Sequence, residues 1–424
     1  MKRRAKYLIA KILGWQVKRL VRKNQPKVIA VTGSIGKTST KLAVAHILSQ
    51  KYKTVYQKGN YNDIVSVPLI FFERSIPSLF NPLAWAIVLI KNEFTLAKKY
   101  PYEMVVVELG TDAPGQIIEF KGYLSADLGV LTSVTAEHMA NFADLGAVAA
   151  EELAITQFCE ELLVNTDLVA EEYQKTITIP LQTYGVKKTA DYKMSDVIFE
   201  GESASFQVSK GQELVVKSAH NQITEPQLYS VTAAVAVANR LGMEAELIDK
   251  GIQSLPTVNG RMQQLKGINN STIIDDTYNA SPEAVKAALD TLYRLQAPQK
   301  IAVLGNMNEL GKYSEPEHIM VGDYCDPAQL DIVLTIGPDA NKFLAPTAEA
   351  RGCKVKSFDD PYSAGEFLKT VIKDNALILV KGSQNKVFAE ETTKLILDNP
   401  ADAAKLVRQS PQWLKIKRKN FART

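Results

Sequence analysis

After a basic opening segment, the chain alternates short, continuously apolar runs with longer stretches in which apolar residues recur at helical spacing. "KVIAVTG" (Lys27 to Gly33), "EMVVVELG" and "DLGVLTSV" are uninterrupted and rich in β-branched residues, the pattern of strands buried on both faces of a parallel sheet. "STKLAVAHILSQK" reads as the helix after the first strand, and "YSVTAAVAVANRLG" (Tyr229 to Gly242) as a buried helix stopped by Gly242. A second series of the same kind starts after "NGRM" (Asn259 to Met262). Its strands are "STIIDD", "KIAVLGN", "DIVLTIG" and "ALILVKGS". Helices such as "SPEAVKAALDTLYRL" lie between them, with Pro282 at a first turn, where no backbone N–H is needed. Strands alternating with helices in this way predict an α/β fold with mostly parallel sheets.

Length and composition add little beyond scale. At 424 residues, with 46% hydrophobic and 23% charged residues, the chain has the make-up of a globular protein of two or three domains. A net charge of +4 does not call for nucleic acid. Cys159, Cys325 and Cys353 are far apart and form no C-x-x-C, so neither a disulfide framework nor a zinc cluster is expected, and a reducing cytosol fits. The longest apolar run, "PLAWAIVLI" (Pro82 to Ile90), falls short of the roughly 18–20 residues of a membrane span. The first 26 residues mix many Lys and Arg with Leu8, Ile9, Ile12, Leu13, Trp15, Val17, Leu20 and Val21, and Lys11 breaks the apolar stretch that a signal peptide would need. Two readings stand side by side: a basic amphipathic helix lying on an anionic membrane surface, or a helix packed on the first domain with a solvated basic side.

The chemistry starts at "TGSIGKTST" (Thr32 to Thr40). It follows a strand and opens a helix, which is the setting of a phosphate-binding loop, although Val31 stands where the usual G-x-x-x-x-G-K-[ST] spacing has its first glycine. Backbone N–H groups of Gly33, Ser34, Ile35, Gly36 and Ser39 would face phosphate oxygens. Lys37 would neutralise the β/γ-phosphates, and Thr38 would offer its hydroxyl to Mg²⁺. Glu108 ends a buried strand, at the edge where open α/β sheets hold ligands, and a carboxylate there suits a hard cation.

The shortened loop T-G-[ST]-x-G-K-T-[ST] resembles that of the Mur ligase family, ATP-dependent enzymes that form amide bonds on peptidoglycan precursors. "GNYNDIVSVPL", "VVELGT", "TSVTAEHM", "NGRM", "IIDDTYNASPEAVKAAL", "AVLGNMNELG" and "LVKGS" follow in family order over nearly all of the chain after residue 27. Among the branches, the D-D-x-Y-N-A-x-P and G-x-M-x-E-L-G motifs resemble the one that joins D-alanyl-D-alanine to UDP-N-acetylmuramoyl-tripeptide. The resemblance implies a P-loop central ATPase domain with a mostly parallel sheet over residues 27–259, then a Rossmann-like C-terminal α/β domain over residues 260–410. Flanking these are the basic helix, residues 1–26, and a basic, loosely ordered tail, residues 411–424.

The resemblance also implies roles. His138 would help bind a second Mg²⁺, Arg261 would reach the ATP phosphates, Asp276 would hold the ribose hydroxyls, and Asn279 would lie near the nucleoside. Asn60, Asn62, Lys381 and Ser383 would face the substrate, although Lys381 and Ser383 also read as a plain surface turn. Asp275 and His220 read as structural. Three departures from the family pattern stand out. Only the basic helix precedes the loop, so the usual N-terminal UDP-binding domain is expected to be lacking. Glu152, in "AVAAEELAITQ", stands at or next to the lysine that the family carbamylates, and is expected to supply a carboxylate to the metal region or to be an ordinary helix charge. Tyr229 replaces an Asn near the adenine and would stack on the base.

The implied reaction is ATP- and Mg²⁺-dependent ligation of a peptide or amino acid to a carboxylate acceptor such as a UDP-muramoyl-peptide, through an acyl phosphate. It would take place in the cytoplasm and without nucleic acid. A Mur-type ligase using a carrier that is not a UDP-sugar, and a catalytically weakened ATP-binding scaffold at the membrane surface, are the alternatives.

Overall fold

The computed structural model describes residues 2–59, 61–78, 81–200, 203–221 and 223–421. The chain divides into two compact units. The first comprises Met1–Thr135, Asn141–Ile223 and Gln227–Leu255, and the second Ala136–Ala140, Thr224–Pro226 and Pro256–Thr424.

In chain order the elements begin with α1 (Lys2–Asn24), β1 (Lys27–Thr32), α2 (Lys37–Leu48), β2 (Thr54–Tyr56), α3 (Ser66–Ile70), α4 (Pro82–Ala97), β3 (Met104–Glu108) and β4 (Leu128–Leu131). They continue with α5 (Leu145–Leu153), β5 (Leu162–Asn165), α6 (Glu171–Gln174), β6 (Leu181–Gly185), β7 (Tyr192–Glu200), β8 (Ser203–Lys210), β9 (Glu213–Asn221), α7 (Glu225–Arg240) and α8 (Ala245–Gln253). The strands form one sheet in the order β2-β3-β1-β4-β5-β6-β7-β8-β9, parallel as far as β7 and antiparallel beyond it. On one face Ile29 and Val31 of β1 pack with Val44 and Ile47 of α2 and with Val231, Val235, Ile248 and Ile252 of α7 and α8. Because β1 lies between β3 and β4 in parallel, Val31 is registered with Glu108 and Thr32 with Leu131. The carboxyl ends of all three strands therefore open on one edge, where the glycine loop leaves β1.

Helix α1 packs on this unit. Leu13, Val17 and Leu20 are fully buried or nearly so, each worth roughly 1.5–3 kcal/mol. Ala10 and Leu13 touch Val65, Leu69 and Trp85. The buried Gln16 amide donates to the Leu89 carbonyl (3.0 Å) and Glu93 (2.8 Å) and accepts from Asn92 (2.9 Å). The packed-helix reading thus describes its inner face. No helix among the described residues is long and apolar enough to cross a membrane.

The second unit carries β10 (Gln263–Lys266), β11 (Thr272–Asp276), α9 (Pro282–Arg294), β12 (Lys300–Gly305), α10 (Ser314–Tyr324), β13 (Ile332–Ile336), α11 (Ala345–Ala350), β14 (Val355–Phe358), α12 (Pro361–Val371), β15 (Leu377–Lys381), α13 (Glu390–Leu395) and α14 (Pro411–Asn420). Its sheet runs β10-β11-β15-β12-β13-β14, parallel except for β10. The stretch expected as a loose basic tail contains α14 instead. The Lys417 ammonium is buried there, 2.7 Å from both Glu390 and Glu391, and Trp413 packs on Phe388. Two carboxylates around one ammonium offset its desolvation and tie the helix down.

Candidate active site

The loop between β1 and α2 is built on two glycines in the left-handed region, Gly33 (φ 128°) and Gly36 (φ 83°). At Gly33 a Cβ would also stand 2.3 Å from the Thr132 hydroxyl oxygen and 2.8 Å from the Ser133 nitrogen. The loop is laced to the residues after β4. Ser34 and Ile35 donate their N–H groups to the Ser133 carbonyl (3.1 Å) and hydroxyl (2.7 Å), and the Thr132 hydroxyl donates to the Ile35 carbonyl (2.6 Å). The Ser34 hydroxyl accepts from the Thr135 N–H (3.0 Å). Lacing to the neighbouring strand end gives the short loop its shape. Lys37 folds over it, donating to the carbonyls of Gly33 and Ser34 (2.7 Å to the latter), and Ser39 lies in the first turn of α2.

Glu108, almost wholly buried at the end of β3, gathers the next group. It accepts from the Thr38 hydroxyl (3.0 Å) and the Asn62 amide (3.2 Å), and its own N–H donates to Gln57 (3.1 Å). Asn62, expected to face substrate, instead lies against Gly110, where a Cβ would stand 2.1 Å from its amide nitrogen. Asn60 falls outside the described residues. Glu108 is also paired with Lys41, fully buried on α2. Its ammonium is 3.1 Å from the carboxylate and donates to the Gly59 carbonyl at 2.9 Å. Neither Lys41 nor Gln57 was expected at the site. Lys41 lies one turn after Lys37 and Thr38, on the apolar side of the helix, and that position was the available signal.

The adjacent carboxylates of α5 diverge. Glu152, 2% exposed, accepts from the Gly33 N–H (2.8 Å) and the Thr32 hydroxyl. It grips the start of the glycine loop and is not a surface charge. Glu151 takes the N–H groups of Gly115 (2.5 Å), Gln116 (2.8 Å) and Ile117 (2.7 Å) and the Thr111 hydroxyl (3.0 Å), so it fixes the loop after β3. A hydroxyl and a carboxylate 3.0 Å apart beside a phosphate loop fit Mg²⁺, which keeps several waters and binds through one or two carboxylates plus phosphates. Among the described residues no three His, Cys, Asp or Glu side chains are grouped to hold a metal by themselves. Tyr229 is half-buried on α7, and the His220 ring is 3.0 Å from the Leu255 carbonyl, in a loop-fixing position.

The remaining expected residues belong to the second unit. His138, in left-handed backbone (φ 56°), contacts the Glu309 carboxylate at 2.5 Å, and this hydrogen bond holds the Glu309 carboxyl below its ordinary pKa. The Arg261 guanidinium lies 4.1 Å from the centre of the Tyr278 ring. Asp276 and Lys381 form a buried pair at 2.5 Å, and Asp276 also accepts from the Met262 N–H (3.1 Å). Lys381 further donates to the Asn279 carbonyl (3.0 Å), so the expected ribose and substrate residues hold one another. Ser383 accepts from the Asn308 N–H (2.8 Å) and is buried, which overturns the surface-turn alternative. Asp275 is wholly buried and receives the hydroxyls of Thr277 and Thr393. Burial pushes its carboxyl up to about 7.

Two family models match the chain: the Mur ligase middle domain over residues 31–77 and 86–238, and the "Mur ligase, glutamate ligase domain" over residues 260–384. The UDP-N-acetylmuramoyl-tripeptide–D-alanyl-D-alanine ligase of Bacillus subtilis is 29% identical over 388 residues, covering 88% of this chain and 76% of that protein. The Escherichia coli ligase of the same name is 27% identical, covering 89% and 79%. Among solved structures, MurF from Thermotoga maritima in complex with ADP superposes with a TM-score of 0.76 at 24% identity, covering 91% of this chain and 83% of that one. MurF from Acinetobacter baumannii gives 0.74 at 24% identity, covering 92% and 79%. With both domain models matched in order and the glycine loop, Thr38 and Glu108 assembled on one sheet edge, the chain belongs to the Mur ligase family of ATP-dependent ligases.

Proposed function

We propose that this protein is an ADP-forming amide ligase of peptidoglycan precursor synthesis, adding D-alanyl-D-alanine to a UDP-N-acetylmuramoyl-tripeptide with ATP and Mg²⁺. The observation that carries the reading is the grouping of Lys37, Thr38, Glu108 and Glu152 around the Gly33–Gly36 loop, and the activity printed for the Bacillus and Escherichia relatives supports it. The substrate carboxylate attacks the γ-phosphorus of ATP and ADP leaves, giving an acyl phosphate. The amine of the dipeptide then attacks the acyl carbon, phosphate leaves with the bond electrons, and the amine gives up a proton as the amide forms.

Little covalent chemistry falls to the protein, so positioning and charge neutralisation carry the rate. The N–H groups of Gly33, Ser34 and Ile35, expected to face phosphate, are instead taken by Glu152 and Ser133, so the cradle for phosphate oxygens falls to the N–H groups at the start of α2, and Lys37 turns from the loop carbonyls to the β/γ-phosphates. Thr38 and Glu108 would hold Mg²⁺, which would supply charge neutralisation at the phosphates. Glu152 fixes the Gly33 end of the loop and stands as a permanent carboxylate in place of the family's carbamylated lysine. Arg261, Asp276, Asn279, Lys381, Ser383, His138 and Tyr229 keep the roles that the family resemblance gives them. The site of action is the cytoplasm, at the inner membrane face if the protein docks there.

The test is incubation with ATP, Mg²⁺, UDP-N-acetylmuramoyl-tripeptide and D-alanyl-D-alanine. ADP release should require both substrates, and mass spectrometry should show the joined pentapeptide. ADP release only with an acceptor that is not a UDP-sugar would overturn the assignment of substrate.

A further inference from the structure

Helix α4 buries Trp85, Asn92 and Leu96 and turns a second apolar face outward. Leu83, Ile87, Ile90 and Phe94 recur at helical spacing on that outer face and are 70%, 43%, 56% and 66% exposed. Helix α1 lies beside it and runs the same way: Ala10 and Leu13 pack with Trp85, Gln16 meets Leu89 and Asn92, and Lys23 meets Leu96. Leu8 and Trp15 are also exposed. The Arg19 guanidinium sits 4.3 Å from the centre of the Trp15 ring and reaches Glu93 of α4 at 2.8 Å, so the indole stands next to α4. An exposed apolar strip of this kind is uncommon on a protein surface without a partner.

Charge points to what covers it. The sequence of α1 holds nine Lys or Arg and no Asp or Glu. Lys11, Lys18 and Arg22 are exposed on α1, and Lys91, Lys98 and Lys99 are exposed on or just after α4. The one carboxylate on α4, Glu93, is taken by Arg19 and Gln16. A second copy meeting this face through a two-fold axis would set like charges against like charges. An anionic bilayer accepts the apolar stripe below its headgroups while the cations stay at phosphate level on long aliphatic stems, and Trp15 and Tyr7 suit the boundary.

We propose that the outer face of α1 and α4 is a docking surface for an anionic lipid bilayer. It holds the ligase at the membrane peripherally. This goes beyond the ligase reading and can fail without it.

Cosedimentation of the full chain tests it. Vesicles of phosphatidylglycerol and phosphatidylcholine should pull the protein down, pure phosphatidylcholine vesicles should not, and added salt should release it. Leu83→Gln/Ile87→Gln/Ile90→Gln/Phe94→Gln, and separately Lys11→Glu/Lys18→Glu/Arg22→Glu, should each weaken the partition at least roughly tenfold while ADP release stays at wild-type level. Wild-type protein that stays in the supernatant with the anionic vesicles overturns the proposal. So does a charge-reversed variant that sediments like wild type, whatever the fate of the stripe variant. A wild-type dimer in light scattering that becomes monomeric in the stripe variant would assign the face to a second copy instead.

Discussion

Replacing Lys41 by Met tests how the site is held together. Methionine keeps the length and apolar stem of lysine, so the packing of α2 on β3 survives. What is lost is the ammonium 3.1 Å from Glu108 and its hydrogen bond to the Gly59 carbonyl. Glu108 keeps the Thr38 hydroxyl and the Asn62 amide, but a carboxylate that is 3% exposed loses the Lys41 ammonium. Removing one partner of a buried ion pair costs about 3–5 kcal/mol. Against a total stability of about 5–15 kcal/mol that is a large share. A unit of this size shifts its Tm by about 2–4 °C per kcal/mol, so the melting temperature should fall by roughly 6–20 °C.

Two further measurements separate this cause from simple misfolding. Mg²⁺ with ATP supplies positive charge at Glu108 and should recover more Tm in the variant than it adds to wild type. The double variant Lys41→Met/Glu108→Gln removes both charges and should regain much of the stability without regaining ADP release. Differential scanning calorimetry with and without Mg²⁺ and ATP reads both effects. A single variant that melts within about two degrees of wild type, or a deficit that the nucleotide leaves unchanged, would refute the argument that Glu108 depends on Lys41.

Other perturbations follow from the same geometry. Lys37→Ala should abolish ADP release and leave a folded protein, because the side chain is half-buried and donates to the carbonyls of its own loop; turnover near wild type in the folded variant would remove the lysine from the mechanism. Glu152→Gln keeps an acceptor for the Gly33 N–H but loses the charge, so it should raise the Mg²⁺ concentration needed for half-maximal turnover, with wild type indifferent to added bicarbonate. An unchanged Mg²⁺ curve would leave Glu152 only its grip on the loop. Asp275 has a folded pKa of about 7, above its unfolded value, so the native state binds more protons between about pH 4 and pH 7 and stability falls as pH rises through that window. Asp275→Asn should flatten this slope in urea titrations and gain most above pH 7; a slope equal to wild type would contradict it.

Where the chain could be read locally, physics made it so. β1, β3 and β4 are buried on both faces, which demands unbroken apolar runs, and such runs are visible without any structure. The same reading passed over β7, β8 and β9. One face of that antiparallel extension is open, so Tyr192–Glu200 buries only Tyr192 and Met194 and alternates half-buried with exposed positions after them, which marks no continuous buried strand. The glycine loop was legible as well, because φ 128° and a 2.3 Å approach leave no other residue at position 33. That is a constraint on one position, and a single letter can express it.

Charge pairing is different, since it is a property of two positions that the chain keeps apart. A lysine carries the same local signal whether water or a carboxylate receives it. Lys41 is buried because Glu108, on another strand, takes its charge, and Lys417 because Glu390 and Glu391 do, although its neighbours in "KIKRK" mark it as solvent-facing. Glu151 and Glu152 make the point at the smallest scale. They are neighbours on α5, about 100° apart around the helix, and that angle alone sends one carboxylate to the N–H groups of residues 115–117 and the other to Gly33. Helical phase could say that the two diverge. Which of them meets the phosphate loop depends on how α5 is set against the sheet edge, and that follows from its packing. Exchanging the two roles by a one-residue shift of α5 would therefore break both loops at once. For that reason Glu151→Gln should lower stability by loosening the loop after β3, with less effect than Glu152→Gln on the Mg²⁺ requirement.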